Sequence, residues 1–138
     1  MIWARYSDKE SEKVMSDFKL KFEPMFNFDE FGNIKTNPRY KEIWRLHEML
    51  TAAGIPHEFE QNCDGWQVFY PVADEDKVVM DAIEHRGSYG SEDDLLEIMG
   101  LLTEEEEKED SVKGWLTAQE VFDRIEAHWS GKNERPND

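Results

Sequence analysis

The sequence predicts a small α+β domain: an antiparallel three-stranded sheet with helices packed on one face. Three observations lead there. A capped amphipathic pattern at 38–53 specifies a helix. Two β-rich runs flanking Asp64-Gly65 read as a hairpin, with a third apolar run at 78–83 to extend it. A capping-box match at Thr117-Ala118-Gln119-Glu120 then opens a further amphipathic run. At 138 residues the chain is sized for one such domain.

Residues 1–36 read as an aromatic-rich N-terminal extension. Ser7 or Ser11 caps a short helix carrying Val14, Met15, Phe18 and Phe22 on one side, while the alternation at 18–22 reads equally well as a strand. Pro24 stops either one. Phe26, Phe28 and Phe31 then lie among Asp29 and Glu30 before a Gly32-Asn33 turn. Packed, these rings join the domain; unpacked, they form an acidic, aromatic docking segment.

The acidic domain proper spans 37–130, followed by a polar tail at 131–138. In the first helix Asn37 caps, Pro38 takes the first helical position and Gly54 ends the run, with Ile43, Leu46, Leu50 and Ala53 at helical spacing. The hairpin pairs residues 57–61 with 66–70. Val78 to Ile83 supplies the third strand and leaves it through the glycine turn His85-Arg86-Gly87-Ser88-Tyr89-Gly90. Ser91 is placed to cap a short helix from Glu92 to about Met99, its acids suited to a helix N-terminus, with Gly100 closing it. Thr103 to Asp110 reads as an acidic loop or a single helical turn. The last helix occupies about 118–129, with Val121, Phe122, Ile125 and Trp129 on its apolar side.

Charge narrows the function classes. The formal net charge is −16, and residues 73–110 hold fifteen acids against three bases, a net of −12. Phosphates would be repelled, which excludes direct electrostatic binding of nucleic acid, and anionic membranes are disfavoured likewise. Aromatics make up 12% of the chain, too many for a disordered acidic tail. A single cysteine, Cys63, excludes an internal disulfide framework and fits a reducing cytosol, and neither a signal peptide nor a membrane span is recognisable.

Catalytic signatures are missing. No paired-His or Cys motif provides metal ligands, so no metal and no cofactor are expected. Cys63 stands before Asp64 among carboxylates that disfavour its thiolate. Neither a phosphate loop nor a dinucleotide fingerprint occurs. The one compact polar constellation lies at 85–91, where His85, Arg86 and Ser88 line a candidate pocket for an anion or nucleotide signal. The plainer reading is a strand-to-helix turn whose Arg86 ties the neighbouring acids internally.

The concentrated charge has a chemical use. Acidic residues one helical turn apart have Cβ atoms about 5–6 Å from one another, while duplex DNA presents roughly one charge per 1.7 Å of axis. A folded face rich in carboxylates therefore imitates a short length of phosphate backbone. Asp74, Glu75, Asp76, Glu92, Asp93, Asp94, Glu97, Glu104, Glu105, Glu106 and Glu107 are the candidate partner-binding charges, with Tyr89, Trp66 or Trp115 as an aromatic anchor.

From Tyr40 to Trp129 the sequence also carries distinctive segments: Leu46 to Leu50 with Gly54 to His57, Asp64 to Gln67, Ile83 to Gly90, Asp94 to Thr103 and Trp115 to Phe122. In these it resembles a family of small acidic proteins encoded by prophages and mobile elements of Firmicutes. The resemblance implies a setting and no catalytic residue. Proteins of that setting include inhibitors of host defence, the anti-CRISPR proteins among them. Charge map and resemblance together predict a non-enzymatic phage inhibitor acting in the host cytosol. Its acidic surface would block the basic groove of a defence nuclease, an RNA-guided one foremost. The alternatives are a small anionic-ligand binder at 85–91 and an adaptor docking through the Phe-rich N-terminus.

Overall fold

A computed structural model describes residues 26–134, with side chains to residue 131. The chain divides between Lys35 and Thr36 into two compact units. The helix or strand expected within residues 7–22 lies outside the described residues. In the first unit, Phe28 and Ile34 form an antiparallel bridge around a turn in which Asp29 Oδ1 accepts the amides of Phe31 and Asn33, both at 2.9 Å. Phe31, at the tip, is 80% exposed.

The second unit is α+β, but its sheet has five strands and not three. They run as a meander, β1 (Glu58–Asn62), β2 (Gly65–Tyr70), β3 (Met80–Glu84), β4 (Leu96–Met99) and β5 (Lys113–Leu116), each antiparallel to its neighbours in chain order. Three α-helices accompany them: α1 (Glu42–Ala52), α2 (Glu104–Glu109) and α3 (Ala118–Glu134). The hairpin forms, but its turn residues are Cys63 and Asp64, with Gly65 already paired with Asn62 in the ladder. The extra strands are β4, in place of the helix expected at 92–99, and β5, between Asp110 and the last helix. Only Ser91–Asp93 is helical there, as one 3-10 turn, and Asp94 at φ 55° breaks it before β4 begins.

Alternation divides each strand between two faces. Val68, Tyr70, Met80, Ala82, Leu96, Ile98 and Leu116 pack with Ile43, Leu46, Leu50, Val121 and Ile125 into the main core, so α1 and α3 cover one face of the sheet. On the other face Gln67, Phe69, Asp81, Ile83 and Glu97 are buried as well. That double burial explains why β3 is buried at all five positions and shows no polar alternation.

The α1 and α3 N-termini meet: the Ala118 amide donates to Glu42 Oε2 at 2.6 Å. Both helices therefore start at the end of the sheet that holds the β3–β4 connection. The β2–β3 loop and the β4–β5 connection lie at the opposite end, separated by the length of β3, roughly 17 Å for five residues.

Candidate functional site: an acidic end and an aromatic end

This topology splits the acidic run. Asp74, Glu75 and Asp76 lie in the β2–β3 loop, and Glu104, Glu105, Glu107, Glu109 and Asp110 on and after α2, all exposed and all at one end of the sheet. Exposed bases in these two segments are Lys77 and Lys108. α1 points its C-terminus, the negative end of its dipole, the same way, with no basic residue in its last turn. Glu92 and Asp93 are exposed too, but at the opposite end.

Four of the predicted partner-binding residues are not free surface charges or anchors. Glu97 is 1% exposed, and its Oε1 accepts the Tyr89 amide at 3.0 Å while burial raises its pKa. Asp94 caps α1 from 52 and 53 residues away, Oδ1 accepting the Lys41 and Glu42 amides at 2.9 and 3.0 Å. Glu106 closes a capping box with Thr103 and takes a bidentate pair of 2.8 Å hydrogen bonds from Arg124. The Arg124 guanidinium, seconded by the Thr103 amide, holds that carboxyl down at about 2. Trp66 is half-buried, stacked on Phe59 and met edge-on by Trp44.

Behind the Asp94 cap lies a group with no counterpart in the sequence reading. Glu84 is fully buried; its Oε1 accepts the Ile43 amide at 3.1 Å, and its Oε2 finds no N–H donor. Burial, a hydrogen bond to Asp94 and the nearby Asp94 and Glu42 charges push this carboxyl up to about 9. Glu84 is thus protonated at neutral pH and donates to Asp94, so two carboxyl groups sharing one proton tie down three amides of the α1 start. Local sequence gives no sign of it, because the partners lie 10 to 53 residues apart.

The candidate pocket at 85–91 is a closed turn. His85 and Ser88 are buried; Ser88 Oγ accepts the His85 amide at 3.1 Å and donates to the His85 carbonyl at 2.9 Å. His85 Nδ1 meets the Arg86 carbonyl at 2.9 Å, and burial lowers the pKa of the ring. Of the three predicted pocket residues only Arg86 faces solvent, its amide donating to Asp64 Oδ1 at 2.8 Å. A shallow cleft of about 440 Å³ does lie at the same end, but Glu42, Arg45, Asp94 and Thr117 line it, not the turn.

Tyr89 is 46% exposed and stacks on Trp115, itself 57% exposed, with ring centroids 5.6 Å apart and planes 6° from parallel. Between Leu96↔Leu116 and Ile98↔Lys113, β5 has one residue more than β4, and this bulge turns Trp115 outward at φ 57°.

Elsewhere, His47 Nδ1 and His57 Nε2 lie 2.9 Å apart at the rim of the core, His47 stacked on Phe59. Burial pushes the Cys63 thiol up to about 11, with the Asp64 charge adding to it, which keeps it from acting as a nucleophile at neutral pH. Among the described residues no cluster of His, Cys, Asp or Glu is arranged to hold a metal ion, and no helix is long and apolar enough to cross a membrane. Comparison of the chain with protein-family models, curated proteins and solved structures returned no match.

Proposed function

We propose that this protein is a non-enzymatic inhibitor that lays its acidic end into the basic nucleic-acid groove of a bacterial defence nuclease. The observation that carries this reading is the gathering of eight exposed carboxylates from the β2–β3 loop and the α2 region at one end of the sheet, against two exposed lysines. Such an array competes with phosphates for the same cations and speeds encounter at low salt. The resemblance to mobile-element proteins supports an RNA-guided nuclease as the target and the host cytosol as the place. Glu92 and Asp93, remote from this array, take no part in it.

The test is a cleavage assay with an RNA-guided nuclease of the host. Wild-type protein is expected to inhibit, less so as salt rises or as nuclease is preloaded with guide and target. The variant E75K/D76K/E107K/E109K reverses four exposed charges, spares every capping residue and moves the formal charge from −16 to −8. It should lose inhibition by at least about tenfold while keeping its fold, as several interfacial charge pairs turn repulsive. Undiminished inhibition by that variant overturns the proposal.

A further inference from the structure

The Tyr89–Trp115 pair is held in place at a conformational cost. A bulky residue at positive φ is a genuine backbone outlier, and such strain collects at binding sites. Trp115 is also locked by its surroundings: its amide donates to the Tyr89 carbonyl at 3.3 Å, while the Tyr89 amide is fixed by buried Glu97. Glycine is required on both sides. A Cβ at Gly114 would meet the Tyr89 Cβ at 2.3 Å, and one at Gly90 (φ 100°) would come within 2.9 Å of the Trp115 amide nitrogen. Four backbone constraints thus present two parallel rings to solvent, where burial would be the ordinary outcome for such side chains.

The bulge also limits what docks there. β5 is an edge strand, and a bulge with an outward Trp spoils it as a template for an added strand. What remains is recognition by the ring faces. A second copy of this chain, at −16, is repelled, as is nucleic acid, so charge selects a cationic occupant. Arginine fits best: its planar, weakly hydrated guanidinium stacks on aromatic faces, whereas lysine is a compact hydrated charge. Exposed Glu92 and Asp93 lie two and three residues after Gly90, which packs against the Trp115 backbone, and offset the charges of Arg86 and Lys113, so the chain's net −16 sets the preference for a cation.

We propose that the Tyr89–Trp115 pair is a docking point for an arginine side chain of a basic partner protein. This deepens the reading given above, on which it rests for the partner's basic character. It adds a second contact, at the end of the sheet remote from the acidic array.

Capped hexa-arginine and hexalysine peptides, equal in charge, serve as probes, their affinities read by titration calorimetry and their site by the tryptophan indole N–H signals in NMR, with Trp115 assigned from W115F. Hexa-arginine should shift the Trp115 signal and bind about two- to fivefold more tightly than hexalysine. W115A should erase that preference while the other four indole signals stay in place; W115F should keep most of it. The charge variant E75K/D76K/E107K/E109K should weaken both peptides and leave the arginine preference intact, so that failure at the acidic end is told apart from failure here. Equal affinity for the two peptides with an unmoved Trp115 signal overturns the proposal. So does a Trp115 shift that follows protein concentration, the mark of self-association.

Discussion

Glu84 shows how one proton is built into the structure. Its carboxyl is raised from 4.5 to about 9, chiefly by burial, then by its hydrogen bond to Asp94. In the unfolded chain it titrates normally. The stability gained by holding this proton is therefore complete below about pH 4.5 and is lost progressively as pH rises toward 9, at up to about 1.4 kcal/mol per pH unit. Asp94 works in the opposite sense: burial raises its pKa, but the hydrogen bonds from Glu84 and the Glu42 and Lys41 amides outweigh that and lower it, so its contribution disappears in acid. Glu84→Gln keeps an acceptor for the Ile43 amide and offers Asp94 an N–H that needs no titration. At pH 8 this variant should be more stable than wild type by about 2 kcal/mol, and at pH 4.5 no more stable. Urea unfolding at the two pH values measures the difference. Equal pH dependence in the two proteins would show that Glu84 holds no proton.

At the scale of the element, α2 is the one that cannot stand by itself. Six residues with four glutamates in the first turn are too few to nucleate a helix in water, and none is buried. Three things hold it: the Thr103–Glu106 capping box, the favourable placing of acids at a helix N-terminus, and the Arg124 clamp from α3 onto Glu106 and the Leu101 carbonyl. Arg124→Ala should release α2 while the sheet persists, with faster hydrogen exchange at the Glu107 and Asp110 amides and a global loss of about 1–2 kcal/mol. Unchanged exchange at those amides would mean that the box alone suffices. The Thr117–Glu120 box and the apolar period of α1 were legible because local chemistry determines them. The hairpin was legible too, one residue off, because Cys63 at φ 54° and not Gly65 turns the chain. β4 and β5 were not. Ahead of β4 the acids at 92–94 imitate a helix start, and what reverses the chain is the left-handed Asp94, fixed by amides some fifty residues earlier. β5 is four residues with a glycine and a bulge, a strand only because β4 lies beside it. The candidate site was legible as composition, in its acids and its Tyr89 and Trp115, but not as geometry, since one acidic run in sequence becomes two ends in space.

For the molecule as a whole, the balance between attraction and repulsion decides how stability responds to salt. Arg45–Glu42 and Arg124–Glu106 pair at 2.8 Å each, while residues 73–110 carry a net charge of −12. Repulsion among the carboxylates at the acidic end, reinforced by the α1 dipole, therefore outweighs what salt would take from those pairs. At about 0.01 M ionic strength the screening length is roughly 30 Å, longer than the sheet, and at 0.15 M it is about 8 Å, shorter than the separation of the two ends. Sodium chloride over that range should then raise the melting temperature, by about 3–4 °C for each kcal/mol of repulsion removed. E75K/D76K/E107K/E109K, with half the net charge, should melt higher than wild type at low salt and respond less to added salt. Thermal scans of both proteins at the two salt concentrations make the comparison. A wild-type melting temperature that falls as salt is added would show that ion pairs, and not repulsion, dominate the surface. An acidic end held without such strain would also have little to gain from a cationic groove.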